Sequence, residues 1–363
     1  MSSMQLPVID LGPLLEDSTS PAALAEATKA AEALKSYGAL ALKDPRIPEE
    51  LNEEFLDMLE EYFAQPYETK LKDARPELHY QVGVTPGGRE DPKCRADETC
   101  QRVIAELEEG ERPEPATGPD PKWRFFWRIG QTRPSTRFPA LNASPVIPEG
   151  MEREKWVRTM DGWGGALHDA GIALTRALAL GLGLPREDSL ESLAKGGPHL
   201  LAPTGSDLTT GEEKVGRVLA GFHYDLNLLT LHGRSRYPGL HIWARNTGKR
   251  LAPRVPAGCL LVQAGKQLEW LTGGAIRAGY HEVVILPETL EAVKRTKAQR
   301  ADPTQPIWRV SSTFFLHTAS DELLAPMGPT FPPNPEKYPA MQCGEYVQRE
   351  LSTIRLASSE KNE

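Results

Sequence analysis

The stretch GFHYDLNLLTLHG, residues 221–233, sets His223, Asp225 and His232 into an otherwise apolar run. Buried strands seldom carry such groups without a partner. Positions i and i+2 of a strand share a face, so His223 and Asp225 converge while Tyr224 points away. An imidazole and a carboxylate so placed can chelate a divalent metal, although the pair alone is equally a structural ion pair or hydrogen bond. A third ligand changes that balance. Two histidines and one carboxylate on one octahedral face hold non-haem Fe(II) and leave three positions open. His281, at the head of HEVVIL and 56 residues beyond Asp225, is the candidate. Downstream, RVSSTFF puts Arg309 and Ser311 on one strand face. A guanidinium with a hydroxyl suits the grip on a small dicarboxylate, against the ordinary alternative of a surface ion pair. Seven residues separate His232 from Asp225, and strand parity then sends it to the opposite face.

These residues need a scaffold. From about residue 198, VLAGFHYDLNLLTLHG, GLHIWAR, CLLVQAG, LEWLTGG, HEVVIL and WRVSSTFFLHT read as strands separated by Gly and Pro turns, the texture of a sandwich or jelly roll. One helical insertion, 287–300, interrupts the series. The N-terminal half reads differently. LPVIDL (6–11) is a short strand. Ser20-Pro21 opens a helix, with Leu24, Ala27, Ala31 and Leu34 on one face, and Gly38 closes it before the strand 39–43. A second amphipathic helix spans 49–64. A long helix spans 152–182, where Gly162, Gly164 and Gly165 suggest a kink or a close approach. Residues 75–145 read as irregular and Pro-rich. Their cluster of Trp123, Arg124, Trp127 and Arg128 either packs on the barrel or lines a substrate mouth.

We read one integrated unit over 1–363: a helical N-terminal half, 1–197, with loop-rich 75–150, then a β core, 198–330, and a C-terminal segment, 331–363. The 363 residues carry 42 basic and 50 acidic side chains, a formal charge of −8. That disfavours a general nucleic-acid binder. No apolar run reaches the roughly 20 residues of a membrane span. The N-terminus lacks a signal-peptide pattern. Cys94, Cys100, Cys259 and Cys343 suggest neither a zinc site nor a disulfide framework. A cytoplasmic monomer is the expectation.

The order H-x-D, distal His, R-x-S and a Phe pair resembles the Fe(II)/2-oxoglutarate-dependent dioxygenase superfamily, in its isopenicillin N synthase-like branch. LPVIDLGPLL, YFAQPYETK, YPGLHIWAR and VPAGCLLVQAGKQLEWLTGG resemble further segments of that branch. The resemblance implies a double-stranded β-helix (jelly roll) with N-terminal and flanking helices. It implies His223, Asp225 and His281 as iron ligands, and Arg309 and Ser311 as the clamp on 2-oxoglutarate. It further implies O2 as oxidant, ascorbate as an accessory reductant, and hydroxylation, desaturation or cyclisation of a small metabolite with release of succinate and CO2. Two alternatives stay open: a 2-oxoglutarate-independent Fe(II) oxidase of the isopenicillin N synthase or aminocyclopropane-carboxylate oxidase type, and a non-catalytic ligand-binding protein. The chain departs from the pattern at three points. Arg309 lies 28 residues beyond His281, a gap that the 287–300 insertion fills. Gly265-Lys266 and Glu282 replace the usual Gly-Asp pair and the usual Arg after the distal histidine, as in a compensating charge swap. The segment GPHLLAPTGSDL lacks the Tyr that many relatives use on 2-oxoglutarate, and His199 is a candidate polar substitute. The substrate-binding residues and the substrate are not legible.

Overall fold

The computed structural model describes residues 5–354, apart from 96 and 132, together with residue 356. Two sheets face each other. The larger has ten strands and the smaller has four, in the order Arg250–Leu251, Leu240–Trp243, Tyr280–Val284, Val218–Tyr224. The smaller sheet is antiparallel throughout. Its strands come from distant segments of the chain, as a jelly roll requires. Helix Pro287–Gln299 fills the gap between strands Tyr280–Val284 and Trp308–Ser311.

The larger sheet reaches back into the N-terminal half. Val8–Asp10 pairs with Ala39–Lys43, which pairs with Cys259–Ala264. Trp123–Arg128 pairs with Leu200–Leu201 and Thr204–Asp207, so the segment read as irregular supplies a central strand. Its six residues are all buried. A strand covered on both sides has no polar-outward alternation, and that hid it in the sequence.

Helix Pro21–Tyr37 starts as its sequence dictates. Ser20 Oγ accepts from Ala23 N, Pro21 occupies the first turn, and Gly38 closes the helix at φ 68°. The buried stripe, however, runs through Ala23, Ala27, Ala30, Ala31 and Leu34, and Leu24 is 44% exposed. Alanines are needed because helix Arg153–Gly181 crosses at close range. A Cβ on Gly181 would lie 2.1 Å from Ala27 O.

The long helix shows a close approach at one of its three central glycines. A Cβ at Gly164 would meet Ile129 Cδ1 at 2.3 Å, whereas at Gly162 and Gly165 it would meet nothing. Gly165→Ala is therefore expected to stabilise the fold by about 0.5–1 kcal/mol. Gly164→Ala is expected to destabilise it by about 1–3 kcal/mol through overpacking. Denaturant midpoints of the two variants check the contrast.

The cysteine expectation is corrected. Cys94 and Cys100 form a disulfide, with Cα atoms 4.9 Å apart. A one-turn helix over Lys93–Arg95 folds back onto the start of helix Glu98–Glu106, which brings two thiols six residues apart into contact. Among the described residues, no helix is long and apolar enough to cross a membrane.

Candidate metal and cosubstrate site

His223 is the penultimate residue of strand Val218–Tyr224, and Asp225 follows the strand end. Strand Tyr280–Val284 lies antiparallel beside it, with His281 directly opposite His223. The two rings are 4.1 Å apart between centroids. Asp225 Oδ1 is 3.8 Å from His223 Nε2, and Oδ2 is 3.8 Å from His281 Nε2. One ligand atom from each residue falls within 4.8 Å of the other two. The 56 residues that separate Asp225 from His281 thus close into a single cross-strand pair.

Two of the three ligands are aimed by a neighbour, while His281 Nδ1 is buried without a partner among the described residues. His223 Nδ1 bonds Gly221 O at 2.6 Å, which leaves Nε2 for a metal. Thr230 Oγ1 donates to Asp225 Oδ2 at 2.6 Å. The turn after Asp225 is pinned by Lys266 N donating to Asp225 O and Gly265 N donating to Leu228 O. Gly265 has no room for a side chain, since its Cβ would strike Asn227 O at 1.9 Å. Burial, and then the neighbouring His281, push the His223 imidazole down to about 3, so it is neutral and able to ligate near pH 7. Burial works to raise the Asp225 carboxyl, but His281 and His223 outweigh it and hold it below its usual range. Two imidazoles and a carboxylate at the edge of a cavity fit Fe(II) with open positions.

The cavity holds about 790 Å³ and is lined by all three residues together with Arg309 and Ser311. Arg309 is buried, and its Nε donates to Tyr237 O at 3.1 Å. Among the described residues it has no carboxylate partner within salt-bridge distance, and burial pushes it down to about 10. A buried cation without an anion costs free energy unless a ligand supplies one. Ser311 Oγ bonds Thr204 Oγ1 at 2.6 Å and Thr313 Oγ1 at 3.1 Å. Thr204 therefore puts a hydroxyl beside Ser311 in the segment that lacks the expected Tyr. His199 does not stand in for that Tyr. It is buried away from the cavity, accepts from His317 N at 3.1 Å and lies 5.0 Å from the His168 ring.

His232 is also corrected. It lines the cavity, with its ring 6.2 Å from that of His281. Its Nδ1 meets Thr313 Oγ1 and its Nε2 meets Gln263 Oε1, both at 3.1 Å. Burial, and then His281, push it down to about 4. Strand parity fails here because the chain leaves the first strand at Tyr224 and starts another at Leu229. The Asp225–Leu228 turn resets which face each residue takes. The charge-swap reading of Lys266 and Glu282 is corrected too. Lys266 pairs with Glu269 at 2.7 Å, while Glu282 lies on the outer face near His241 and Arg250. His317 lines the cavity instead of sitting satisfied in the core, and both ring nitrogens lack a partner among the described residues.

The Trp/Arg cluster splits by strand alternation. Lys122, Arg124 and Phe126 face the cavity, while Trp123, Phe125 and Trp127 join the main core. Arg128 is held behind by Leu141 O and His199 O.

Known proteins share both the sequence pattern and the architecture. Residues 6–139 match the family model described as non-haem dioxygenase in morphine synthesis, N-terminal. A protein assigned to the 2OG-Fe(II) oxygenase family, from Caulobacter crescentus, superposes with a TM-score of 0.71 at 23% identity, covering 97% of this chain and 99% of that one. The fold is that of the Fe(II)/2-oxoglutarate oxygenases. A full-length Neurospora crassa protein solved in complex with alpha-KG is similar at a TM-score of 0.70 and 21% identity, over 96% of this chain and 95% of that chain. JOX2 in complex with 2OG, Fe and JA is similar at 0.65 and 19%, over 98% and 86%. No curated protein sequence matches the chain. Family model and fold agree with the superfamily resemblance read from H-x-D, His281 and R-x-S.

Proposed function

We propose that the chain is an Fe(II)- and 2-oxoglutarate-dependent dioxygenase acting on a small organic metabolite. The observation that supports this most is the pairing, in one cavity, of a three-ligand metal cluster with a buried Arg309 that has no carboxylate partner among the described residues. His223, Asp225 and His281 would hold Fe(II), and Arg309 with Ser311 would hold the far carboxylate of 2-oxoglutarate. The bound metal would couple O2 reduction and decarboxylation of 2-oxoglutarate to oxidation of a substrate C–H bond, releasing succinate and CO2. The chain's own role is positional. His223 and His232 stay neutral near pH 7, so neither adds charge beside the metal ligands. Thr204, Thr313 and His232 form a continuous polar belt behind Ser311, which fixes its hydroxyl. Fe(II)-dependent, O2-dependent conversion of 2-oxoglutarate to succinate by the purified protein tests the reading. An iron-replete protein that makes no succinate contradicts it.

Thr204 carries a smaller prediction. Thr204→Val removes the hydroxyl beside Ser311, a loss of about 1 kcal/mol, or roughly fivefold in the KM for 2-oxoglutarate. Steady-state kinetics at saturating Fe(II) check it.

A further inference from the structure

We propose that the substrate is an uncharged molecule with an apolar face, and that Glu90 sets this preference by neutralising the cations of the substrate wall. The inference rests on the dioxygenase reading above, which reserves Arg309 for the cosubstrate.

A neighbouring stretch of the cavity wall, in the same sheet as Arg309 and separated from its strand by Thr204–Asp207, is built on strand Trp123–Arg128 and its flanks. Lys122 and Arg124 reach the cavity there, and both are about nine-tenths buried. Neither is available to an anion. Glu90 lies between them, bonded to Arg124 through one oxygen and 3.3 Å from Lys122 through the other. Lys122 also pairs with Asp120, whose second oxygen accepts from Gly221 N at 2.9 Å. Lys93, the third cation on this side, pairs with Glu350 at 2.8 Å. Lys93 also lies 3.6 Å from Asp97, so three cations meet four carboxylates. Burial works to raise the Glu90 carboxyl, but Arg124 and Lys122 outweigh it and keep it ionised.

An anionic substrate would lose its water and find each of Lys93, Lys122 and Arg124 already paired with a carboxylate. It would also meet the ionised Glu90. A cationic substrate would find every carboxylate of the wall taken. The wall also presents Phe126 and Phe315, edge-to-face at 6.1 Å, with Leu200 and Ala202 beside them and the His317 ring 6.4 Å from Phe315. The Arg124 guanidinium lies 4.6 Å over the Phe126 ring, which further commits it to the wall.

Trans-cinnamamide and trans-cinnamate have nearly the same shape and differ by one charge. Titration calorimetry under anaerobic conditions, with the Fe(II) protein and saturating 2-oxoglutarate so that Arg309 is occupied, measures each. The amide is expected to bind at least about tenfold more tightly than the acid, or about 1.4 kcal/mol. Glu90→Gln keeps the shape and removes one charge, so it is expected to raise affinity for cinnamate at least about tenfold while changing the amide little. Wild-type protein that prefers cinnamate, or binds neither probe at millimolar concentration, overturns the proposal. So does a folded Glu90→Gln protein without the gain. The wild-type ranking decides the matter even if that variant fails to fold. Succinate release from 2-oxoglutarate alone, on the same preparation, reports separately on the dioxygenase reading.

Discussion

His281→Ala is expected to abolish stable Fe(II) binding and to lower succinate formation by roughly a thousandfold or more. Loss of an outer-shell partner of a metal ligand typically costs about 10–100-fold, and a ligand itself costs more. The reason is geometric. His281 stands directly opposite His223, and its Nε2 is 3.8 Å from the Asp225 carboxylate. Its removal leaves a His and an Asp at one strand end, the arrangement that alone is only an ion pair. Asp225→Ala is expected to behave alike, because the lost carboxylate faces both imidazoles and accepts from Thr230. Neither change touches the ladder of main-chain bonds in the smaller sheet. The variants should keep the wild-type circular dichroism spectrum while their iron content falls. Wild-type iron content in either variant would move the metal elsewhere.

Arg309→Leu separates the cosubstrate from the metal. It is expected to weaken 2-oxoglutarate binding by about 100-fold, near 2.7 kcal/mol, the scale of a charge-assisted pair. Fe(II) affinity should stay within a fewfold of wild type, since Arg309 bonds Tyr237 O and none of the three ligands. The stability effect has an unusual sign. A buried guanidinium without a carboxylate partner opposes folding, so the variant without cosubstrate is expected to be as stable as the wild type or more so. Thermal unfolding with and without 2-oxoglutarate measures both effects. The wild type should gain stability from 2-oxoglutarate, and the variant should not.

Much of the site was legible because short motifs encode strand geometry directly. H-x-D needs only the two-residue period of a strand, and R-x-S likewise. The partner His281 was found by motif order, and its register opposite His223 is a fact of topology that no local pattern carries. His232 shows the limit. Counting parity from Asp225 assumed one strand, yet the turn held by Gly265 and Lys266 divides it in two. Thr204 was overlooked because its place was judged by residue type, whereas the structure puts its hydroxyl 2.6 Å from Ser311 Oγ. The wall of Lys122, Arg124 and Phe126 lay in a segment that reads as loop, since uninterrupted burial erases alternation. Four helices were read nearly to the residue from caps and stops, but Glu98–Glu106 and Cys343–Thr353 were not seen, and LEWLTGG, read as strand-like, overlaps helix Lys266–Leu271. The buried stripe of Pro21–Tyr37 was misplaced toward Leu24 because leucine outweighs alanine in any hydrophobicity count, while close helix packing prefers alanine.

The central claim is that one cavity binds Fe(II) through His223, Asp225 and His281 and 2-oxoglutarate through Arg309. Anaerobic titration of the Fe(II)-loaded protein with 2-oxoglutarate, followed by visible absorption, tests it most directly. A metal-to-ligand charge-transfer band is expected, saturating at one equivalent of 2-oxoglutarate per chain. The band should be absent without Fe(II) and absent from His281→Ala. An Fe(II)-loaded wild-type protein that shows no such band at saturating 2-oxoglutarate would contradict it.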